Sequence, residues 1–92
     1  MKITFDPAKD AANVAKHGVS LAEAERAQWG EALVWPDLRC NYGEDRMIAL
    51  APIGDRLHCV VFVERDDAMR VISLRRANQR EFDFYETETK SD

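Results

Sequence analysis

The chain has 92 residues, 46% of them hydrophobic and 33% charged, with a formal net charge of −4. That length is one domain, which buries roughly 60–65% of the surface its unfolded chain exposes, enough for one core and at most one shallow site. The composition is too apolar for disorder, no apolar run approaches the roughly 20 residues that span a bilayer, and the first six residues lack the apolar stretch of a secretory signal, so the expectation is a cytoplasmic protein with no membrane partner.

Lys2–Phe5 fits a short strand. Asp6-Pro7 reads as a helix start, with Asp as N-cap and Pro in the first turn. Ala8, Ala11, Ala12 and Ala15 favour a helix to about Lys16–His17, and Gly18 suits the left-handed residue that closes one. Ser20 and Glu23 have the spacing of a capping box, with Val19 in the staple position, which predicts a second helix reaching Gln28 or Trp29. Ala32–Trp35 reads as a strand stopped by Pro36, and Leu38–Asp45 as a loop. Three strands follow: Arg46–Ala51, closed by Pro52 and a Gly54-Asp55 turn; Leu57–Glu64, the most β-like stretch; and Met69–Arg75, after a polar turn at Arg65–Ala68. Alternation along the last strand puts Arg70, Ile72 and Leu74 on one face and Val71, Ser73 and Arg75 on the other, with Ile72 and Leu74 toward the core. Ala77–Glu86 fits a terminal helix, and 87–92 a frayed tail of a single domain covering 1–92. The order β-α-α-β-β-β-β-α with short turns describes an α+β domain: N-terminal helices on one face of a small antiparallel sheet, a C-terminal helix, and a second face only partly covered.

Charge is unevenly spread. Residues 65–80 carry five arginines against two aspartates, and residues 81–92 carry five acids against one lysine. A basic segment of this kind is suited to phosphate, because the guanidinium fork matches phosphate oxygens; the alternative is a solvated face or an ion pair such as Arg75 with Glu81. Histidine exchanges protons near neutral pH, so His17 at a helix end is a candidate acid or base, or else a cation favoured by the helix dipole. In Gly43-Glu44-Asp45-Arg46, Glu44 is a candidate base and Arg46 a candidate stabiliser of phosphoryl charge, unless the segment is simply a polar turn. Cys40, Cys59, His17 and His58 lack paired metal-ligand spacing, and no metal or other cofactor is expected. Cys59 alternates with Leu57 and Val61, the pattern of a small buried hydrophobe. Nucleotide-binding glycine loops, the G-x-S-x-G elbow and H-E-x-x-H are all missing. Arg, Lys, His and Glu suffice for metal-independent RNA cleavage, in which the ribose 2′-hydroxyl supplies the nucleophile.

Several pieces then occur in order: Phe5-Asp6-Pro7-Ala8-Lys9, Asn13, Lys16-His17-Gly18-Val19-Ser20 with Glu23-Ala24, Gly43-Glu44-Asp45-Arg46, Gly54-Asp55-Arg56-Leu57, and Arg70-Val71-Ile72-Ser73-Leu74-Arg75-Arg76-Ala77 with Glu81 and Tyr85. As an ordered set over residues 5–85, the sequence resembles the BrnT family of toxins from type II toxin–antitoxin systems. The resemblance implies a RelE-like fold, a ribonuclease activity that halts translation, and a BrnA-like antitoxin whose ribbon-helix-helix domain binds DNA, so that this chain meets DNA only through its partner. It makes His17, Lys16, Arg46, Arg75 and Glu44 the candidate catalytic residues, and Ser73, Arg76, Arg80, Tyr85 and Glu81 the candidate substrate contacts. The sequence departs from the family's pattern at Trp29-Gly30-Glu31 and at Phe82-Asp83-Phe84, which replaces part of a basic run. Two other functions remain open: a non-catalytic toxin-like module that binds an antitoxin and tunes autorepression, with Trp29, Trp35, Phe82 or Phe84 as anchors, and an acid–base enzyme acting on a small phosphorylated metabolite.

Overall fold

In the computed structural model, residues 2–39 and 43–90 are described. The elements are β1 (Lys2–Thr4), α1 (Pro7–His17), 3-10 helices at Leu21–Arg26 and Trp29–Glu31, β2 (Leu33–Pro36), β3 (Met47–Ile53), β4 (Arg56–Arg65), β5 (Ala68–Arg76) and α2 (Gln79–Thr89). The sheet order is β1-β5-β4-β3-β2. All neighbours are antiparallel except β1, which runs parallel to β5. This is the expected α+β architecture. None of the described helices is long and apolar enough to cross a membrane.

Local chemistry accounts for the element boundaries. The Asp6 carboxylate accepts the Ala8 N–H at 2.8 Å, satisfying a donor that the first turn of α1 leaves open. Gly18 ends α1 at φ 74°, a left-handed conformation that a side chain would strain, and its N–H returns to the Val14 carbonyl at 2.8 Å. Ser20 caps the next segment through Ala22. That segment winds as a 3-10 helix and stops at Arg26, short of the expected α-helix to Gln28 or Trp29. Its Glu23 carboxylate binds Arg26 at 3.0 Å. At the β4–β5 hairpin Asp66 and Asp67 both take positive φ, 51° and 62°, as a tight two-residue turn requires, and Asp tolerates this better than most residues. Helix α2 runs to Thr89, beyond the expected end at Glu86, and residues 91–92 of the expected tail lie outside the described residues.

β4 is buried without interruption from His58 to Val63. Such a run marks a strand covered on both faces. On one face Val60, Phe62, Met69, Val71 and Leu74 pack against Leu21 and Ala24 of the first 3-10 helix, with the Trp29 ring edge-on to Phe62 at 5.6 Å. The Trp29 indole N–H donates to the Ala24 carbonyl at 3.0 Å. The opposite face carries Leu50, Cys59 and Val61, paired with Arg75 and Ser73 of β5. It is crossed by α2, none of whose residues is buried.

The alternation expected along β5 breaks at one residue. Val61 pairs with Ser73 and Phe62 with Val71, leaving Ile72 as a bulge. The extra residue shifts the phase. Val71 and Leu74 therefore share the core face, where simple alternation puts them on opposite faces, and Ile72 is only half-buried. Beyond the reach of β1, the outer edge of β5 is closed by a side chain. Asn13 of α1 donates to the Leu74 carbonyl at 2.7 Å and accepts the Leu74 N–H at 3.2 Å, while also donating to the Val19 carbonyl at 2.8 Å. It takes the place of a neighbouring strand for one residue pair.

Candidate active site

The Asn13 contact fixes where the end of α1 lies. Lys16 and His17, about one turn further on, come against the end of β5. Together with Gly18, Val19, Arg75 and Arg76 they line an open concavity of about 470 Å³ at the rim of the sheet. Three sequence-predicted catalytic residues, Lys16, His17 and Arg75, thus meet with one predicted substrate contact, Arg76. Lys16 and Arg76 are exposed, whereas His17 and Arg75 are half-buried.

Arg75 is held in a definite orientation. Its two terminal nitrogens donate to the two carboxylate oxygens of Glu81 at 2.8 and 2.9 Å, and Nη1 also reaches the Arg76 carbonyl at 3.2 Å. Glu81 is itself fixed by a capping box: it accepts the Asn78 N–H at 2.9 Å while Asn78 accepts the Glu81 N–H at 2.8 Å. The pairing holds the Glu81 carboxyl below its ordinary value, chiefly through the Arg75 hydrogen bonds, against an opposing push from burial. The same bonds raise the affinity of Arg75 for its proton. Beneath the pair lies Cys59, 5% exposed, whose thiol is pushed up by burial and partly drawn back by the Arg75 charge.

Other predicted residues lie elsewhere. Glu44 binds Arg46 at 3.5 Å and Arg65 at 3.1 Å. Arg65 lies seven residues along β4 from His58, the partner of Arg76, which is roughly 23 Å of strand. Arg46 precedes Met47, which pairs with Phe62, four residues from His58 or roughly 13 Å. The Glu44–Arg46 group therefore does not join Lys16 and His17. Ser73 is half-buried on the face that carries Arg75. Arg80 is exposed in the first turn of α2 and is not among the residues lining the rim. Tyr85 donates its hydroxyl to the Glu31 carbonyl at 2.7 Å and so ties α2 to the segment before β2, a tie seconded by the Trp35–Phe84 ring contact at 5.8 Å. Burial and the Glu31 and Glu86 charges raise the Tyr85 phenol above its ordinary value.

Arg56 has no role in the sequence reading beyond its place in the Gly54-Asp55-Arg56-Leu57 motif. It lines a second concavity of about 240 Å³ with Arg26, His58 and Arg76, next to the first. Its membership follows from the pairing of Ile53 with Arg56 and His58 with Arg76, which stacks the two arginines at one end of the sheet. Among the described residues no group of three or more His, Cys, Asp or Glu could hold a metal ion, and Cys40 lies outside them.

Residues 5–81 match the family described as the ribonuclease toxin, BrnT, of type II toxin–antitoxin systems. The chain belongs to the BrnT family. Its fold is similar to the crystal structure of the Brucella abortus ribonuclease toxin, BrnT, with 32% sequence identity, a TM-score of 0.71, and coverage of 86% of this chain and 99% of that one. A comparison with curated proteins gives no match. The family is one of ribonuclease toxins, and membership of a type II toxin family implies an antitoxin as partner. The family match ends at Glu81, in the first turn of α2.

Proposed function

We propose that this BrnT-family chain is a toxin that stops translation by metal-independent cleavage of RNA at the rim formed by Lys16, His17, Arg75 and Arg76. The observation that supports this most directly is that the end of α1 and the end of β5 meet in one open concavity carrying an imidazole and three cationic side chains. The 2′-hydroxyl attacks the adjacent phosphorus and its proton passes to the His17 imidazole. The bond to the 5′ oxygen breaks, and that oxygen takes a proton from the Lys16 ammonium. The products are a 2′,3′-cyclic phosphate and a 5′-hydroxyl. Arg75, held by Glu81, and Arg76 stabilise the extra negative charge on the phosphorane, an electrostatic effect strongest where water is partly excluded. Glu44 and Arg46 take no part in this set. The antitoxin is a BrnA-like ribbon-helix-helix protein, which carries the complex to DNA.

Expression of the chain without an antitoxin arrests growth, and His17→Ala and Arg75→Ala relieve the arrest. Purified protein cleaves RNA in the presence of a chelator, leaving cyclic-phosphate ends detectable by mass spectrometry. Normal growth on verified soluble expression overturns the reading.

One observation favours the non-catalytic module: both terminal nitrogens of Arg75 are already engaged by Glu81. On that reading the purified protein binds its antitoxin and leaves RNA intact.

A further inference from the structure

We propose that a groove beside the rim holds one nucleotide of single-stranded RNA adjacent to the scissile bond, its base against the Phe82 ring and its phosphate on Arg56 and Arg76. This rests on the RNA-cleavage reading above. The groove measures about 390 Å³ and is lined by Asp55, Arg56, Leu57, Arg76, Ala77 and Phe82, among others. That volume falls within the range of small-molecule sites. Arg76 lines both this groove and the concavity holding Lys16, His17 and Arg75, so a strand gripped at the rim passes directly into it.

Three features point to a nucleotide as the occupant. Phe82 is 43% exposed, and among the described residues no aromatic ring packs on it, whereas its neighbour Phe84 is used by Trp35. Two guanidiniums against the single Asp55 carboxylate leave the groove cationic. Its apolar wall and its charge therefore stand side by side, as in sites that bind unpaired nucleic acid, where bases stack on aromatic rings and arginines track the backbone. Beside it the Asn78 Oδ1 accepts the Glu81 N–H and the Gln79 Nε2 donates to Asp83. Stacking on the Phe82 ring suits any unstacked base, since every base has a π-face.

The test uses a fluorescent single-stranded octanucleotide with 2′-O-methyl at every position, which binds and is not cleaved. Phe82→Ala and Phe82→Leu weaken binding roughly 5- to 100-fold, and Phe82→Trp keeps it within about twofold. Arg56→Ala reduces the salt slope of binding by about one. Circular dichroism and urea melts confirm that each variant is folded. If wild type binds and cleaves RNA while Phe82→Ala and Phe82→Leu bind as tightly, the groove assignment is overturned and the cleavage reading stands. If wild type neither binds nor cleaves RNA, both are overturned. If Phe82→Ala leaves RNA binding intact but loosens the complex with the antitoxin, the groove is a protein-docking surface and the nucleotide assignment is wrong.

Discussion

Replacing Glu81 tests the link between the site and the fold. Its carboxylate accepts two hydrogen bonds from Arg75 and one from the Asn78 N–H. The Arg75 and Glu81 side chains are 35% and 22% exposed, so solvent screens part of their attraction, and a value near the top of the range for surface pairs applies, about 1 kcal/mol. Losing the Glu81 half of the capping box adds about 0.5–1 kcal/mol. Glu81→Ala therefore costs about 1.5–2 kcal/mol, and at 4–8 °C per kcal/mol the midpoint falls by about 6–16 °C. Glu81→Gln keeps the shape and an acceptor for Asn78 and costs roughly half as much. The effect depends on pH. Because the folded carboxyl sits below its ordinary value, its contribution is complete above about pH 4.3 and disappears as pH falls through the lower folded value. Urea denaturation of wild type and Glu81→Gln at pH 7 and pH 3 measures this directly. A gap as large at pH 3 as at pH 7, or a Glu81→Ala midpoint within 2 °C of wild type (roughly the shift from a few tenths of a kcal/mol), refutes the argument.

Asn13→Ala removes the partner of both Leu74 backbone groups and lowers stability by about 2–4 kcal/mol, read by the urea midpoint. The Cys59 thiol, buried and pushed up, resists an aromatic disulfide reagent at pH 8 in the folded protein and reacts at once in urea. Tyr85→Phe removes the bond to Glu31 and costs about 1 kcal/mol, with faster amide exchange along α2. Arg75→Ala lowers RNA cleavage at least tenfold more than Arg46→Ala, since the geometry keeps Arg46 away from His17; equal losses in the cleavage assay refute the proposed grouping.

What the sequence reveals about this fold is mostly local. The Asp6-Pro7 start, the Gly18 stop and the Gly54-Asp55 turn are each written in two or three adjacent residues whose backbone preferences decide the outcome. The proximity of Lys16 and His17 to Arg75 was legible through the family motifs, yet its cause, the Asn13 contact with Leu74, spans 61 positions and has no periodic signature. The Ile72 bulge is invisible for a related reason. It depends on how β5 registers against β4, and alternation alone assumes an unbroken register. Arg46 and Arg75 both stand beside or within strands, and their separation along the sheet appears only when the pairings are known. Arg56 was overlooked because its value comes from a cross-strand neighbour.

Asn13 has one more implication. A strand margin with unpaired amides invites addition of a foreign chain, and proteins blunt such margins by charge, brevity or cover. Here β1 protects only the Ala68–Arg70 part of β5, and the stretch beyond depends on a single carboxamide borrowed from a helix. That carboxamide thereby guards the edge carrying Arg75 and Arg76 against addition of a second chain. Loss of that guard would open this margin to strand addition and release the end of α1 at the same time.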